Sequence, residues 1–446
     1  MRLPVFEKIM SVLRRETPEK KYSVSDTPAC LCMIYGSKET LDAAESECRK
    51  SLSENPDYAD SYLCLGRVYA TRGRYREAEE YLKKAVEKNP GFADAYFCLG
   101  DVQYNQKKIS EAVESFLKCA GADNKYAGAF IGLGRAYFAL QDYDPAEKAY
   151  KQAIKLKSDY ADAHFGLAGV YANTGKYRES EKEHKKAVKL NPDYADALIG
   201  LAWVYYLEGK LRKSCEMFLR VIEKRPNNPE IYNGLGWVYY REKKFIDAER
   251  MFLRAKELSP DDIDVHIGLG WLYYHLFVSG EAGESQLGMA KAGFESAVAL
   301  DPNCAGAHMG LGWVYYHTES FEDAQKHFLK AVEIMPDFFD AHSALGWLYY
   351  KWVNFDREKI YDAEKEFTRA SQLDGAVPET YTGLGWVNYR LGEMDKALVF
   401  FKKALSIEKN LPDAFVGIAS VYEKKGDKAQ AAKYYSKARK SAVRSA

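Results

Sequence analysis

The stretch Gly234-Leu235-Gly236-Trp237-Val238-Tyr239-Tyr240 decides the fold of this 446-residue chain because it recurs along the sequence. Nearly identical copies begin at Gly268 and Gly310, and related copies begin at Ala344 and Gly383. Around each copy, a larger pattern returns every 34 residues along nearly the whole chain. A period of this length is typical of stacked supersecondary units, so the sequence predicts a solenoid rather than a globular enzyme domain.

Each repeat unit has the residue pattern of two helices. Leu65 and Tyr69 lie four residues apart and share one helical face, while Ala78 and Leu82 share the face of a second helix. Segments such as Asn89-Pro90-Gly91 end the second helix because proline cannot continue its hydrogen-bond ladder. Twelve helical hairpins are therefore predicted, with starts near Ser25, Ala59, Ala93, Ala127, Ala161, Ala195, Pro229, Ile263, Ala305, Phe339, Pro378 and Pro412.

These residues resemble the tetratricopeptide repeat family over roughly residues 25 to 445. The resemblance implies an all-α, right-handed superhelical solenoid, with residues 1–24 as an N-terminal extension or cap and residues 25–446 as the array. It also implies that the ninth and twelfth places of each unit, counted from the unit start, line a concave groove that binds partners. The expected contacts, with two histidines that follow twelfth-place tyrosines, are Trp203, Tyr206, Trp237, Tyr240, Trp271, Tyr274, Trp313, Tyr316, Trp347, Tyr350, Trp386, Tyr389, His275 and His317.

A structural role for the tryptophans is an equally good interpretation. Gly234 and Gly236 each cost a helix up to ~1 kcal/mol relative to alanine, so close packing must offset them. Indole rings lying over the glycine faces of neighbouring first helices would provide such packing. On the functional interpretation, the same rings form a stacking platform for an extended peptide. The two roles are compatible.

The N-terminal half of the array differs from this aromatic section. Its ninth places predict a groove lining of mixed and charged residues. Because this lining differs from the aromatic one, the chain is expected to bind two partners, or one partner with two kinds of segment. The lysine and asparagine with which some members of the family hold a C-terminal carboxylate are not recognisable. The ninth places concerned are Met33, Arg67, Asp101, Arg135 and Gly169.

Two insertions interrupt the period, near residues 278–288 and 351–358, both between paired helices. Inserts in solenoids map to loops on one edge. The first is rich in Gly, Ser and Glu and is predicted to be a mobile loop. The second carries Trp352 and Phe355, which favour an extra helical turn.

Cysteine and histidine spacing argues against disulfides and metal sites. Cys30, Cys64 and Cys98 take the same place in consecutive units, about 8–10 Å apart, which is too far for a disulfide or zinc. The other cysteines are scattered, so reduced, buried thiols in a cytoplasmic protein are predicted. Histidines at the fourth place are predicted to pack in the core without a carboxylate or cysteine partner at ligand spacing: His266, His308 and His342.

Composition excludes several function classes. The 64 basic and 64 acidic residues balance, so no global field marks nucleic acid as the partner. No apolar run reaches the ~18 residues of a membrane helix. The Gly-x-Gly of Gly268-Leu269-Gly270 lacks a third glycine and a preceding strand, and no nucleophile, zinc or kinase motif is present. We therefore expect no catalytic residue, cofactor or metal.

The predicted function is a non-catalytic scaffold that binds an extended peptide or partner protein in the aromatic groove. Two alternatives stay open. One is an accessory or substrate-recognition subunit of an enzyme on another chain, and the other is a solenoid that self-associates through its end repeats. A glycan or small-molecule groove is a weaker option, motivated by the stacked indoles.

Overall fold

The computed structural model describes residues 38–280, 283–354 and 356–445, and these form 23 α-helices and no strand. The chain divides between Asn227 and Asn228 into two compact units, here the N-terminal and C-terminal units. The N-terminal unit contains α1 (Lys38–Glu54), α2 (Ala59–Thr71), α3 (Tyr75–Lys88), α4 (Ala93–Asn105), α5 (Ile109–Ala122), α6 (Ala127–Ala139), α7 (Tyr143–Leu156), α8 (Ala161–Asn173), α9 (Tyr177–Leu190), α10 (Ala195–Leu207) and α11 (Leu211–Ile222).

The C-terminal unit is built in the same way from six helix pairs. Its helices are α12 (Pro229–Arg241), α13 (Phe245–Leu258), α14 (Ile263–Val278), α15 (Glu284–Leu300), α16 (Ala305–His317), α17 (Phe321–Ile334), α18 (Phe339–Trp352), α19 (Lys359–Leu373), α20 (Pro378–Leu391), α21 (Met394–Ile407), α22 (Pro412–Lys424) and α23 (Lys428–Ser445).

Within each unit, a first helix packs on the second helix of its own repeat, and that second helix packs on the next first helix. The predicted all-α solenoid of tetratricopeptide-like helix pairs is confirmed. Eleven first helices begin at the residues that the period marks as unit starts, from Ala59 to Pro412. The predicted start at Ser25 and the predicted cap at residues 1–24 lie outside the described residues.

Local chemistry explains why the helices begin and end where they do. Between repeats, an Asn or Asp side chain accepts a hydrogen bond from the backbone N–H two residues later, as Asn89 does from Gly91 and Asp301 from Asn303. Within repeats, the fifteenth place adopts positive φ, for example at Gly73 (73°) and Glu319 (57°). Glycine suits that left-handed turn best, because it has no Cβ.

In nine repeats, from the one that begins at Ala93 to the one that begins at Pro378, the core contains a ring from the second helix at the twenty-fourth place, whereas Leu82 takes this place in the repeat of Ala59. These side chains are fully or almost fully buried, together with the alanines that let the helices approach. Most of the rings are phenylalanine, with Tyr150 and His184 in two repeats: Phe116, Phe218, Phe252, Phe294, Phe328, Phe367 and Phe401.

The insertions lengthen helices. At the first, α14 has 16 residues and α15 has 17, against 13 and 14 in the preceding repeat, so most of the added residues are helical rather than loop. At the second, α18 continues to Trp352, whose ring packs at 5.6 Å from Phe321. Phe355 lies outside the described residues.

The prediction that all cysteines are reduced is wrong for one pair. Cys48 on α1 and Cys64 on α2 form a disulfide, with Cα atoms 6.5 Å apart. The repeat period compared Cys64 only with cysteines at the same place of other repeats, whereas Cys48 lies on the second helix that packs directly against α2. Cys98 and Cys119 are free and buried, and Cys215 and Cys304 are free and partly buried. Cys30 and Cys32 lie outside the described residues.

Candidate functional site

The ninth-place tryptophans occupy one repeated environment. Each indole meets the twenty-fourth-place phenylalanine of its own repeat edge to face, with ring centroids 5.1–5.5 Å apart. Each also meets the tyrosine three residues later, at 5.3–5.9 Å. Such pairs add about 0.5–1.5 kcal/mol beyond burial, so the tryptophans help to hold the two helices of a repeat together.

Burial divides the tryptophans into two groups. Trp203, Trp237 and Trp271 are at most 2% exposed, and their indole N–H groups have no hydrogen-bond partner. Trp313, Trp347 and Trp386 are only partly buried, as are the tyrosines three residues after them. Although Tyr240 and His275 are partly exposed earlier in the expected strip, its tryptophans are therefore solvent-accessible only in its later part, from Trp313 to Trp386. There, the Trp386 indole donates a hydrogen bond to Asp413 of the next repeat at 3.2 Å.

The glycines leave room for the phenylalanine rings of the second helices. The expectation that indole rings lie over the glycines is therefore wrong. A Cβ on Gly236 or on Gly268 would lie 2.6 Å from the nearest Phe252 ring carbon. Phe252 is thus held between the glycine faces of two successive first helices. The same arrangement places Phe294 between Gly270 and Gly310. Glycine is required here because a side chain would occupy the space of the buried ring.

A regular series of tyrosine and basic side chains runs along α12 to α22, and we call it the tyrosine–cation ladder. In each step, the twelfth-place tyrosine of one repeat meets the thirteenth-place side chain of the next repeat. Two steps use histidine, with centroids 5.6 Å apart, and three place a cationic group 4.3–4.9 Å from the ring centroid. The pairs are Tyr240 with His275, Tyr274 with His317, Tyr316 with Lys351, Tyr350 with Arg390, and Tyr389 with Lys424.

Both expected contact histidines belong to this ladder. The Tyr274 hydroxyl lies 3.1 Å from Nε2 of His317, and burial, followed by the charge of Lys351, lowers the pKa of His317. His275 packs 5.0 Å from Phe245 as well as on Tyr240. Burial raises the pKa of Tyr240 to about 12 and that of Tyr316 above its usual value, so these tyrosines stay neutral. The ladder therefore changes from histidine at α14 and α16 to lysine or arginine at α18, α20 and α22.

The charged ninth places of the N-terminal unit are paired across repeats. Arg135 lies 3.4 Å from Asp101 and 4.4 Å from the ring centroid of Tyr104. Arg67 contacts the Cys98 sulfur at 3.2 Å. Burial raises the pKa of Asp101, and Arg135 opposes that shift. Arg67 is buried between the repeats rather than exposed, and Met33 lies outside the described residues, so a charged lining of this unit stays a prediction.

The fourth-place histidines brace the turns between repeats. Nε2 of His266, His308 and His342 lies 2.7–3.1 Å from the carbonyl oxygen of a proline six residues earlier. The expectation that they lack a carboxylate neighbour is wrong for His342, whose Nδ1 lies 2.6 Å from Glu366 on α19. That hydrogen bond is the main cause of the raised pKa of His342. Sequence spacing missed it because the partner comes from the second helix.

Metal clusters and membrane spans are the two other kinds of site to consider. In the described part of the chain, no group of three or more His, Cys, Asp and Glu side chains could hold a metal ion. Nor does any helix in those ranges combine the length and the apolar composition needed to cross a membrane.

Comparison with known proteins identifies the family. A family model described as the Cilia and flagella-associated protein 70 C-terminal domain matches residues 33–266, slightly more than half of the chain. The chain belongs to this family. Tetratricopeptide repeat models match residues 305–338, 378–411 and 412–440 of the same chain, so the family resemblance seen in the sequence is confirmed. The search of curated proteins found no match.

Solved structures share the fold of this family member at low identity. A human IFIT1 dimer with m7Gppp-AAAA is 16% identical with a TM-score of 0.52, over 92% of this chain and 96% of that chain. The APC/C hetero-tetramer Cut9-Hcn1 is 15% identical with a TM-score of 0.52, over 91% of each chain. The first of these solenoids holds a capped RNA and the second is a subunit of a protein assembly, so the fold by itself does not define the class of partner.

Proposed function

We propose that this chain is a non-catalytic scaffold that binds an extended segment of a partner protein along the face of α16, α18 and α20. The observation that carries the proposal is the run of partly exposed aromatic pairs in three successive repeats. These pairs are Trp313 with Tyr316, Trp347 with Tyr350, and Trp386 with Tyr389. Large aromatic rings held rigidly by their own repeats supply binding area at low entropic cost.

The other expected contact residues have a supporting role in this proposal. Trp203, Trp237 and Trp271 are buried in the described structure, so they stabilise their repeats and would meet a partner only after a rearrangement. His275 and His317 pack on tyrosine rings and adjoin the accessible section. The proposed contact surface is thereby narrower than the strip expected from the sequence.

Acidic residues support a protein rather than a nucleic acid as the partner. Glu379 and Asp413 are exposed at the second place of α20 and α22, and Asp413 accepts a hydrogen bond from the indole of Trp386. A phosphate backbone carries negative charge at every nucleotide and would be repelled there. The balanced overall charge supports the same assignment.

The compartment is also part of the proposal. Reduced thiols were the argument for a cytoplasmic location, and the Cys48–Cys64 disulfide removes that argument. The family description supports a role beside ciliary or flagellar proteins, and we propose that the chain is located on the cytoplasmic side of the cell membrane. Imaging of the tagged chain in ciliated or flagellated cells tests this assignment, and secretion of the chain into the medium would contradict it.

Affinity capture with matched variants tests the scaffold role. Tyr389→Ala and Trp347→Ala should each weaken binding of a captured partner by at least about 30-fold, because a central aromatic contact contributes ~2 kcal/mol or more. Tyr361→Ala, which removes a 64% exposed ring from α19, should leave binding unchanged. Circular dichroism checks folding of every variant. Equal capture by all variants refutes the surface, and association of the chain only with itself would favour the self-assembling solenoid.

A further inference from the structure

Three cationic side chains of the ladder are available to a ligand. The Arg390 guanidinium lies 4.3 Å from the Tyr350 centroid, and the Lys424 ammonium lies 4.9 Å from the Tyr389 centroid. Both side chains are exposed, and within the described ranges neither has a carboxylate within the 4.0 Å of an ion pair. Lys351, on Tyr316, has Glu319 at 3.1 Å, but that carboxylate is 59% exposed and easily displaced.

The spacing of these cations is set by the repeat. Each cation packs on the tyrosine of the preceding repeat, and successive first helices also contact one another directly. We therefore take the general separation of packed helices, about 8–10 Å, as the spacing of neighbouring cations. A polyproline II segment has three residues per turn and rises ~3.1 Å per residue, so residues i and i+3 lie on one side, about 9 Å apart. A β-strand instead repeats a side every two residues, about 7 Å, and would lose register.

We propose that the segment bound on this face is acidic and polyproline II-like, with Asp or Glu at every third position, and that its carboxylates pair with Lys351, Arg390 and Lys424. This inference rests on the proposed function and specifies the partner. Carboxylates on one side of the segment would meet the cations, while its other residues, proline among them, would pack on the tyrosine and tryptophan rings. Proline suits such packing because its ring is already rigid.

The acidic residues of the surface constrain the ligand further. Asp340, Glu379 and Asp413 lie at the second place of the same helices, eleven residues or ~16 Å before the thirteenth-place cations. Within each of these helices, the carboxylate is therefore near the beginning and the cation near the end, while burial and, less strongly, the nearby charge of Asp413 raise the pKa of Tyr350. A ligand with carboxylates on one side only fits it better than a polymer charged at every unit.

Fluorescence anisotropy with synthetic peptides and the full chain tests the inference. The probe is a labelled peptide of three Glu-Pro-Pro triplets, and its controls are three Gln-Pro-Pro triplets and a block peptide of three glutamates followed by six prolines. The triplet acidic peptide should bind at least about 10-fold more tightly than either control. Arg390→Gln and Lys424→Gln should each weaken it by about 5–10-fold, and higher salt should weaken it further.

The matched control is Lys402→Gln, which removes an exposed lysine from α21 outside the ladder and should change nothing. Equal binding of the neutral and acidic triplets would overturn the inference but leave the scaffold role standing if Tyr389→Ala still weakens both. Equal binding of the block and triplet peptides would overturn the predicted spacing. Tighter binding of a labelled single-stranded RNA, lost in Arg390→Gln, would overturn the inference in favour of nucleic acid.

Discussion

Replacement of Gly310 by alanine tests the packing principle of the array. A Cβ at this position would lie 2.3 Å from Cε1 and 2.4 Å from Cζ of Phe294. The ring cannot withdraw, because Phe294 is fully buried and Gly270 faces it from the neighbouring first helix. Overpacking costs typically 1–3 kcal/mol, and we take the upper end here. Alanine gains up to ~1 kcal/mol in helix propensity, so a net loss of about 2 kcal/mol in unfolding free energy is expected.

Urea unfolding followed by circular dichroism measures this effect, with Gly288→Ala as the matched control. Gly288 lies inside α15, and apart from the nearby backbone of its own helix no heavy atom lies within 4 Å of the position that an added methyl group would take. The same substitution should therefore stabilise the protein there by ~0.5–1 kcal/mol. A second variant, Gly310→Ala with Phe294→Leu, should cost less than the sum of its two single changes. The packing account is refuted if Gly310→Ala is as stable as the parent protein.

Three further predictions concern single side chains. Burial lowers the pKa of His184 to about 3, so the stability that this histidine contributes falls as pH drops below ~6.5. The unfolding free energy of His184→Phe, measured relative to that of the parent protein, should therefore be about 2 kcal/mol higher at pH 5 than at pH 8. An equal difference at both pH values would contradict this. Glu366 raises the pKa of His342, so this pair stabilises the fold most below pH ~6.5 and less as pH rises through the raised pKa. The loss of unfolding free energy caused by Glu366→Gln should therefore be larger at pH 6 than at pH 9, and an equal loss at both pH values would exclude the pair. Alkylation of the denatured chain followed by mass spectrometry should leave Cys48 and Cys64 unmodified until a reductant is added, and full modification without reductant would exclude the disulfide.

The repeat period predicted the helices and their starts because every unit repeats the same local signals. It could not predict contacts between different helices equally well. The glycines were assigned to indoles, although a usable signal was present: a bulky twenty-fourth residue such as Phe252 accompanies glycine at the eighth place of its repeat, Gly236, and at the sixth place of the next, Gly268. That signal depends on how the second helix is rotated, which the period of the first helix does not specify.

The aromatic residues of the proposed surface were named from the sequence, whereas its lysine and arginine residues were not. The tryptophans and tyrosines were identified as one strip, but their burial depends on packing that a single repeat does not contain. Among the thirteenth-place side chains of the tyrosine–cation ladder, only His275 and His317 were identified from the sequence as contact residues. Lys351, Arg390 and Lys424 occupy the same place, and their relation to the tyrosines of the preceding repeats became evident from the contacts between helices.

Site-specific photo-crosslinking tests the central claim most directly. A photoreactive side chain is placed at Tyr350 in one variant and at Tyr361 in another, and each variant is irradiated with the captured partner. Tyr350 lies on the proposed contact face of α18, whereas Tyr361 is an exposed ring on α19. The scaffold account predicts a cross-link to the partner from position 350 and none from position 361. A cross-link from position 361 alone, or equal cross-links from both, would contradict it.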